Sequence, residues 1–170
     1  MSPRKAHGPG LSSHYQFKDD LDWRGVDMGR VVAVSISEKK GMRKTNVPRA
    51  LAIENFGFEG DAHASSSWHR QVSLLAAESI EKMVKAGLNV KAGDFAENIT
   101  TEGIDLVSLP IGTKVMVGEV VGEVSQIGKK CHARCAIYEQ AGDCVMPKEG
   151  IFIKVIKGGW VAPGDPVEVL

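Results

Sequence analysis

From Arg30 to Leu170 the apolar residues come in short alternating runs, most of them closed by glycine, proline or aspartate. That rhythm constrains the fold more than any other feature of the chain. A strand alternates its faces residue by residue, whereas an amphipathic helix needs a period of about 3.6 sustained over several turns. In Arg30-Val31-Val32-Ala33-Val34-Ser35-Ile36-Ser37, the side chains of Val32, Val34 and Ile36 are expected to share one face of an opening strand. Lys114–Val117 and Val120–Ile127 flank Gly118-Glu119 as a predicted strand pair. Ile151–Ile156 alternates as well, and Gly158-Gly159 after it predicts a hairpin turn. Pro163-Gly164-Asp165 leads into a last strand over Val167–Leu170.

One stretch has the helical period. Leu74 to Lys85 carries Ala76, Ile80, Met83 and Val84 as an apolar stripe, and Gly87 is placed to end the helix. Glu78–Lys82 and Glu81–Lys85 are i,i+4 pairs in the favourable orientation. With 19 glycines, many short strands and no βαβ series, the pattern predicts a mostly β fold, a barrel with one clear α-helix and a few short helical segments.

A length of 170 residues corresponds to about one domain. Residues 1–28, rich in Gly, Ser, Pro, His and charge, read as a flexible or loosely docked arm, and 29–170 as the folded domain. Lys+Arg and Asp+Glu are both 21, so no basic field argues for nucleic acid. No apolar run approaches the roughly 20 residues of a membrane span. The basic N-terminus lacks the apolar segment of a secretory signal. The 3 cysteines all lie between Cys131 and Cys144, an odd number that fits reduced thiols in a cytoplasmic protein better than a disulfide framework.

Gly128-Lys129-Lys130-Cys131-His132-Ala133-Arg134-Cys135 is the most informative segment. It follows a predicted strand and is expected to be a loop at a barrel end. A thiolate is the reactive form of cysteine, and neighbouring cations favour it. Lys129, Lys130, His132 and Arg134 crowd Cys131 and Cys135 in that sense, as a nucleophile, a persulfide carrier or a soft-metal ligand would require. Three other readings stay open. The thiols could be small buried hydrophobes. Cys131, Cys135, Cys144 and His132 could hold structural zinc, although the second close pair usual in such sites is missing. Cys131 and Cys135 could also form a reversible dithiol, without the C-x-x-C spacing of the oxidoreductases.

A second polar group precedes the helix. Asp61, two residues before His63, is placed to orient the imidazole, or else to satisfy backbone N–H groups of a Gly-Asp turn. Arg70 could hold a phosphate together with a nearby helix start, or be an ordinary surface arginine. Glu97 and Asn98 sit between the apolar Phe95 and Ile99, so they either line a polar pocket or cap a turn. Lys39, Lys40, Arg43 and Lys44 form a basic loop after the first strand, either a solvated face or an element that steers an anion.

In this order the motifs resemble the MOSC domain, named for the C-terminal domain of molybdenum-cofactor sulfurases. The matching pieces are GRVVAVSIS, the Lys-rich loop with Lys44 and Pro48, GFEGDAH, RQVSLL, GDFAENIT, LPIGTKV, QIGKKCHARC, MPKEGIF and PGDPV, spanning 29–170. The resemblance implies a strongly bent β-barrel with a cleft at one end and a cysteine in that cleft. Cys135 matches that position best, as a catalytic thiol or molybdenum ligand, with Cys131 the accompanying thiol. The implied cofactor is molybdenum cofactor (molybdopterin). In the sulfurases the domain binds it or carries sulfur to it. In the similar amidoxime-reducing component of mitochondria, the matching cysteine ligates molybdenum. Small stand-alone bacterial members are similar in length, and some reduce N-hydroxylated compounds.

On that resemblance His63 joins Cys135 and Cys131 as a working residue, and Lys44, Asp61, Arg70, Glu97, Asn98 and Arg134 would bind the cofactor or line its cleft. The pyridoxal-phosphate step of the sulfurases belongs to an aminotransferase-like domain that these residues do not contain. A separate cysteine desulfurase or electron-donor protein is therefore the expected partner. The phosphate-binding residues of the amidoxime-reducing enzymes do not map cleanly onto Lys39, Lys40 or Lys44. The other class implied is a non-enzymatic binding or scaffold module in cofactor assembly, with structural or zinc-binding cysteines.

Overall fold

A computed structural model describes residues 28–131, 134, 136–142 and 144–170. The proposed arm up to Asp27, His132 and Cys135 lie outside the described residues. The strands are β1 (Met28–Ile36), β2 (Thr45–Val47), β3 (Ala50–Ile53), β4 (Gly57–Phe58), β5 (Val72–Ala76), β6 (Ile99–Glu102), β7 (Lys114–Val117), β8 (Val120–Ile127), β9 (Ile151–Lys157), β10 (Gly159–Val161) and β11 (Pro166–Val169). The helices are α1 (Ala77–Lys85), α2 (Ala136–Ala141) and α3 (Met146–Glu149).

The main sheet runs β11-β7-β8-β9-β5-β6-β1 and closes on itself through the β1–β11 pairing, making a 7-strand barrel with β2 attached outside the ring. Closure removes the free strand edges that an open sheet of this size would expose. All pairs in the ring are antiparallel except β5–β6, which are joined through α1. A parallel pair needs such a crossover, and this explains the isolated helical signal in a strand-rich sequence.

The barrel interior is aliphatic: Val31, Val34, Leu74, Ile99, Val117, Val124, Ile153 and Val167 are all at most 1% exposed. A second, smaller core lies outside the ring, where Leu75, Ile80, Phe95, Ile137, Met146 and Phe152 pack together. Strand β5 therefore buries both faces, Leu74 inward and Leu75 outward, so its sequence is a continuous apolar run rather than an alternation.

Three local readings of the sequence are corrected. In β1 the register against β6 slips between Val31 and Ala33, so Val31 and Val34 face the core while Val32 is left 37% exposed. Such a bulge inserts one residue and inverts the alternation on either side of it. The helix begins at Ala77, not Leu74, because Val72–Ala76 pair with both β6 and β9. Gly158-Gly159 is not a hairpin turn: β10 leaves β9 and pairs with β3, with Gly159 opposite Ala52. The glycine is needed for close approach, since a Cβ on Gly158 would stand 2.6 Å from the carbonyl oxygen of Ala52. The pair β7–β8 forms as expected around Gly118-Glu119, with Val117 opposite Val120.

The i,i+4 charges of α1 are only half used within the helix. Glu81 and Lys85 pair at 3.3 Å, whereas Lys82 reaches Glu149 at 2.6 Å and Glu78 accepts from the Gly103 N–H. These contacts tie the helix to α3 and to the end of β6.

A buried polar cluster beside the cysteine loop

The loop after β1 returns through Lys44, and the segment after β4 brings Asp61 and His63 against it. The Lys44 ammonium is entirely enclosed. Its Nζ donates to Asp61 Oδ1 at 2.6 Å and to Ser37 Oγ at 3.2 Å, and lies 3.0 Å from His63 Nδ1. Asp61 has two further donors: Oδ1 also accepts from the Ser37 N–H and Oδ2 from the His63 N–H. Asp61 satisfies turn amides, and it reaches the imidazole only through Lys44, since its Oδ2 lies 3.9 Å from His63 Nδ1.

Burial lowers the Lys44 pKa, opposed by the hydrogen bond and charge of Asp61. His63 is pulled down to about 4, first by desolvation and then by the charge of Lys44. At neutral pH it is an uncharged imidazole. The lysine of the basic loop is thus not part of a solvated face. Lys39 and Lys40 are exposed, Arg43 pairs with Asp94 at 2.9 Å, and only Lys44 turns inward.

The loop before β6 holds Lys44 in place. The Lys44 N–H donates to the Gly93 carbonyl, 2.8 Å away, and Gly93 has a φ of +92°. The Glu97 carboxylate folds back to accept from the Gly93 N–H, the Phe95 N–H and Thr100 Oγ1. Burial raises its pKa to about 6, against the pull of those donors. Asn98 joins three strands: Oδ1 accepts from the N–H and hydroxyl of Ser73, and Nδ2 donates to the Ser35 carbonyl. Both side chains are closed off from solvent, at 0% and 1% exposure, so they act here on the loop and strand ends that carry Lys44.

Lys129, the first lysine of the cysteine loop, lies close enough for its charge to depress both Lys44 and His63, and Lys40 adds to the effect on His63. The start of that loop is tied down by the Gly128 N–H to Gly150 O and the Lys129 N–H to Pro147 O. Cys131 is exposed, while Cys144 is half-buried against the outer apolar core. Arg134 is exposed, its guanidinium 4.7 Å from the Tyr138 ring. Arg70 is half-buried between the rings of Trp68 and Phe152, at 5.0 and 5.3 Å. The structure thus brings Lys44, Asp61 and His63 into contact and sets Lys129 near them, with Arg70 and Arg134 in aromatic contacts of their own. Two partners escaped the sequence reading. Ser37 carries no signal beyond its place at the end of β1, and Lys129 was legible only as a neighbour of the thiols.

A closed, bent barrel with this order of motifs defines a class, and the family model for the MOSC domain matches residues 59–168. The chain belongs to the MOSC domain family. No curated protein sequence matches it at significant similarity. Among solved structures, the YuaD protein from Bacillus subtilis is similar with a TM-score of 0.69 at 16% identity, covering 85% of this chain and 96% of that one. YiiM from Geobacillus stearothermophilus gives 0.64 at 19% identity, covering 84% and 75%. YiiM from Escherichia coli gives 0.58 at 21%, covering 83% and 69%. Likeness at these identities establishes the fold. No helix among the described residues is long and apolar enough to cross a membrane.

The donor set suits a molybdopterin-type group. Beyond the paired Lys44 and Asp61, Lys40 and Lys129 add positive charge around His63, as an anionic phosphate favours, and the neighbouring loop carries an exposed thiol, as a soft metal favours.

Proposed function

We propose that this MOSC domain, taken as residues 29–170, binds molybdenum cofactor and presents Cys135 to it as ligand or sulfur acceptor. The observation that supports this is the closeness of two features far apart in sequence. The loop that carries the cysteines begins at Lys129, and Lys129 acts electrostatically on the buried Lys44–Asp61–His63 cluster. A buried polar cluster with Lys40 and Lys129 acting on it and a thiol-bearing loop thereby serve one region of the surface.

In this reading Lys44 and Asp61 form the fixed base of the site. His63 meets the ligand from the exposed side of that base. Arg70 and Arg134, each held against aromatic rings, would reach the cofactor from outside the cluster, and Glu97 and Asn98 hold the loop that keeps Lys44 in register. Cys131 is the accompanying thiol in the sequence, and Lys130 or Arg134 would stabilise the thiolate of Cys135. Bound cofactor would supply a molybdenum centre capable of two-electron chemistry.

Two activities share these residues. As a sulfur acceptor, the Cys135 thiolate attacks the outer sulfur of a donor persulfide, forming a new S–S bond while the donor leaves as a thiolate. As a permanent ligand, it would belong to an enzyme reducing N–O bonds with electrons from a separate donor protein. Mass spectrometry after incubation with a cysteine desulfurase separates them: an acceptor gains about 32 Da on a cysteine. A reductase shows no lasting adduct and consumes hydroxylamine-type substrates when given reductant. Neither adduct nor turnover in cofactor-loaded protein would overturn both and leave a binding or scaffold module in cofactor assembly. A cytoplasmic location belongs to the same proposal, because that compartment keeps thiols reduced.

A further inference from the structure

We propose that Lys44 is a positioning residue that fixes the tautomer of His63, so that the site offers a neutral Nε2–H donor to an oxyanion. The inference follows from the donors and acceptors around one nitrogen. An ammonium has three N–H bonds, and Nζ of Lys44 has three neighbours: Asp61 Oδ1, Ser37 Oγ and His63 Nδ1. The Asp61 carboxylate only accepts. The Ser37 hydroxyl donates its proton to the Lys39 carbonyl, 3.0 Å away, so it too accepts from Nζ. The third N–H is then directed at His63 Nδ1, which must carry a lone pair.

The opposite assignment would need a neutral amine that accepts from a protonated Nδ1. That leaves the Asp61 carboxylate, 0% exposed, without a counter-charge in the interior. Removing one member of a buried ion pair is far costlier than keeping both. The ammonium therefore stays, and the single ring proton of neutral His63 resides on Nε2.

Among the described residues Nε2 has no protein partner, and the His63 side chain is 36% exposed. Its outward edge is a donor whose direction is set from behind. The charged groups acting on the ring are Lys44, Asp61, Lys129 and Lys40, three cations to one anion. A fixed neutral donor in a cationic surround receives an acceptor-only, negatively charged oxygen, as on a phosphate-type group, and does not withdraw a proton from a ligand. The oxyanion half of this inference rests on the cofactor reading above; the tautomer half does not.

The test is nitrogen NMR of the full chain labelled with ¹⁵N-histidine, with the His63 ring assigned by its loss in His63→Gln among the 5 histidines. At neutral pH the wild-type protein is expected to show a protonated Nε2 and an unprotonated Nδ1, unchanged until strongly acidic conditions. The double variant Lys44→Met/Asp61→Asn removes both buried charges together. It is expected to show a tautomer mixture, because no fixed donor then faces Nδ1. A protonated Nδ1 in the wild type, or a double variant with the wild-type tautomer, overturns the positioning role. The wild-type spectrum decides the tautomer by itself if the double variant does not fold. Inorganic phosphate is expected to move the Nε2–H signal, whereas chloride at equal ionic strength does not. An identical response to both overturns the oxyanion half alone, and leaves the cofactor reading to be judged by metal content.

Discussion

Asp61 Oδ1 lies 2.6 Å from Lys44 Nζ, and neither side chain reaches solvent. This pair joins the loop after β1 to the segment after β4, and it supports the imidazole at its rim. Deleting the carboxylate while keeping the ammonium leaves a buried charge unpaired. Asp61→Ala is expected to cost about 3–5 kcal/mol, a fall in Tm on the order of 10 °C for a chain of this size. Lys44→Met/Asp61→Asn should lose much less, and urea denaturation of the two variants side by side checks the difference. Equal losses would mean that packing, not charge, dominates at this position.

Two buried titrations oppose each other in mildly acidic solution. Glu97 rises from 4.5 to about 6 on folding, so between those values the native state binds more protons than the unfolded chain. Its contribution to stability therefore falls as pH rises through that window, by about 2 kcal/mol. His63 drops from 6.5 to about 4, so the unfolded chain binds more protons there and stability rises with pH across that range. Removing either group should expose the other. Glu97→Gln is expected to gain stability more steeply with pH between about 4.5 and 6 than wild type, and His63→Gln to lose it over the same range. Denaturant midpoints at a series of pH values read both slopes, and parallel profiles for the two variants would contradict the assignment.

Gly93 is a single atom's width from failure. Its φ is +92°, and a Cβ there would lie 2.5 Å from the carbonyl oxygen of Lys44. Gly93→Ala is expected to cost at least about 1–3 kcal/mol of backbone strain. It should also disturb Lys44, so the loss of stability should come with a changed His63 ring spectrum. A destabilised protein with an unchanged ring would show that this loop supports the fold without positioning the cluster.

Leu74 points into the barrel and is 0% exposed. Leu74→Ala should cost about 2–5 kcal/mol through lost burial and the cavity left behind. Val32→Ala, on the bulge and 37% exposed, should cost well under half as much. Comparable losses would place Val32 in the core, as simple alternation along β1 predicts.

The barrel was legible because its strands are short, amphipathic and closed by turn residues, and the crossover helix stood out by period. What periodicity could not show was the bulge at Val32, since a slip of one residue leaves no mark in composition. Nor could it show that Gly158-Gly159 serves a close approach to Ala52, because a glycine pair reads equally as a hairpin. Asp61 and His63 were visible as a pair two residues apart. Lys44 was hidden in a run of cations, where burial depends on a partner 17 residues away and on the loop at Gly93. Glu97 offered two readings, and only the fold decides that its carboxylate turns back onto the Gly93 and Phe95 amides. Contacts of this kind arise from topology, which a local pattern does not encode.

Whether Cys135 holds molybdenum cofactor in this protein can be read from its metal content. Protein purified anaerobically from a host that makes molybdenum cofactor would be analysed by elemental mass spectrometry beside Cys135→Ala and Cys131→Ala. Molybdenum is expected in the wild type and is expected to be lost in Cys135→Ala. Wild-type protein without molybdenum, holding zinc or only unmodified thiols, would contradict it.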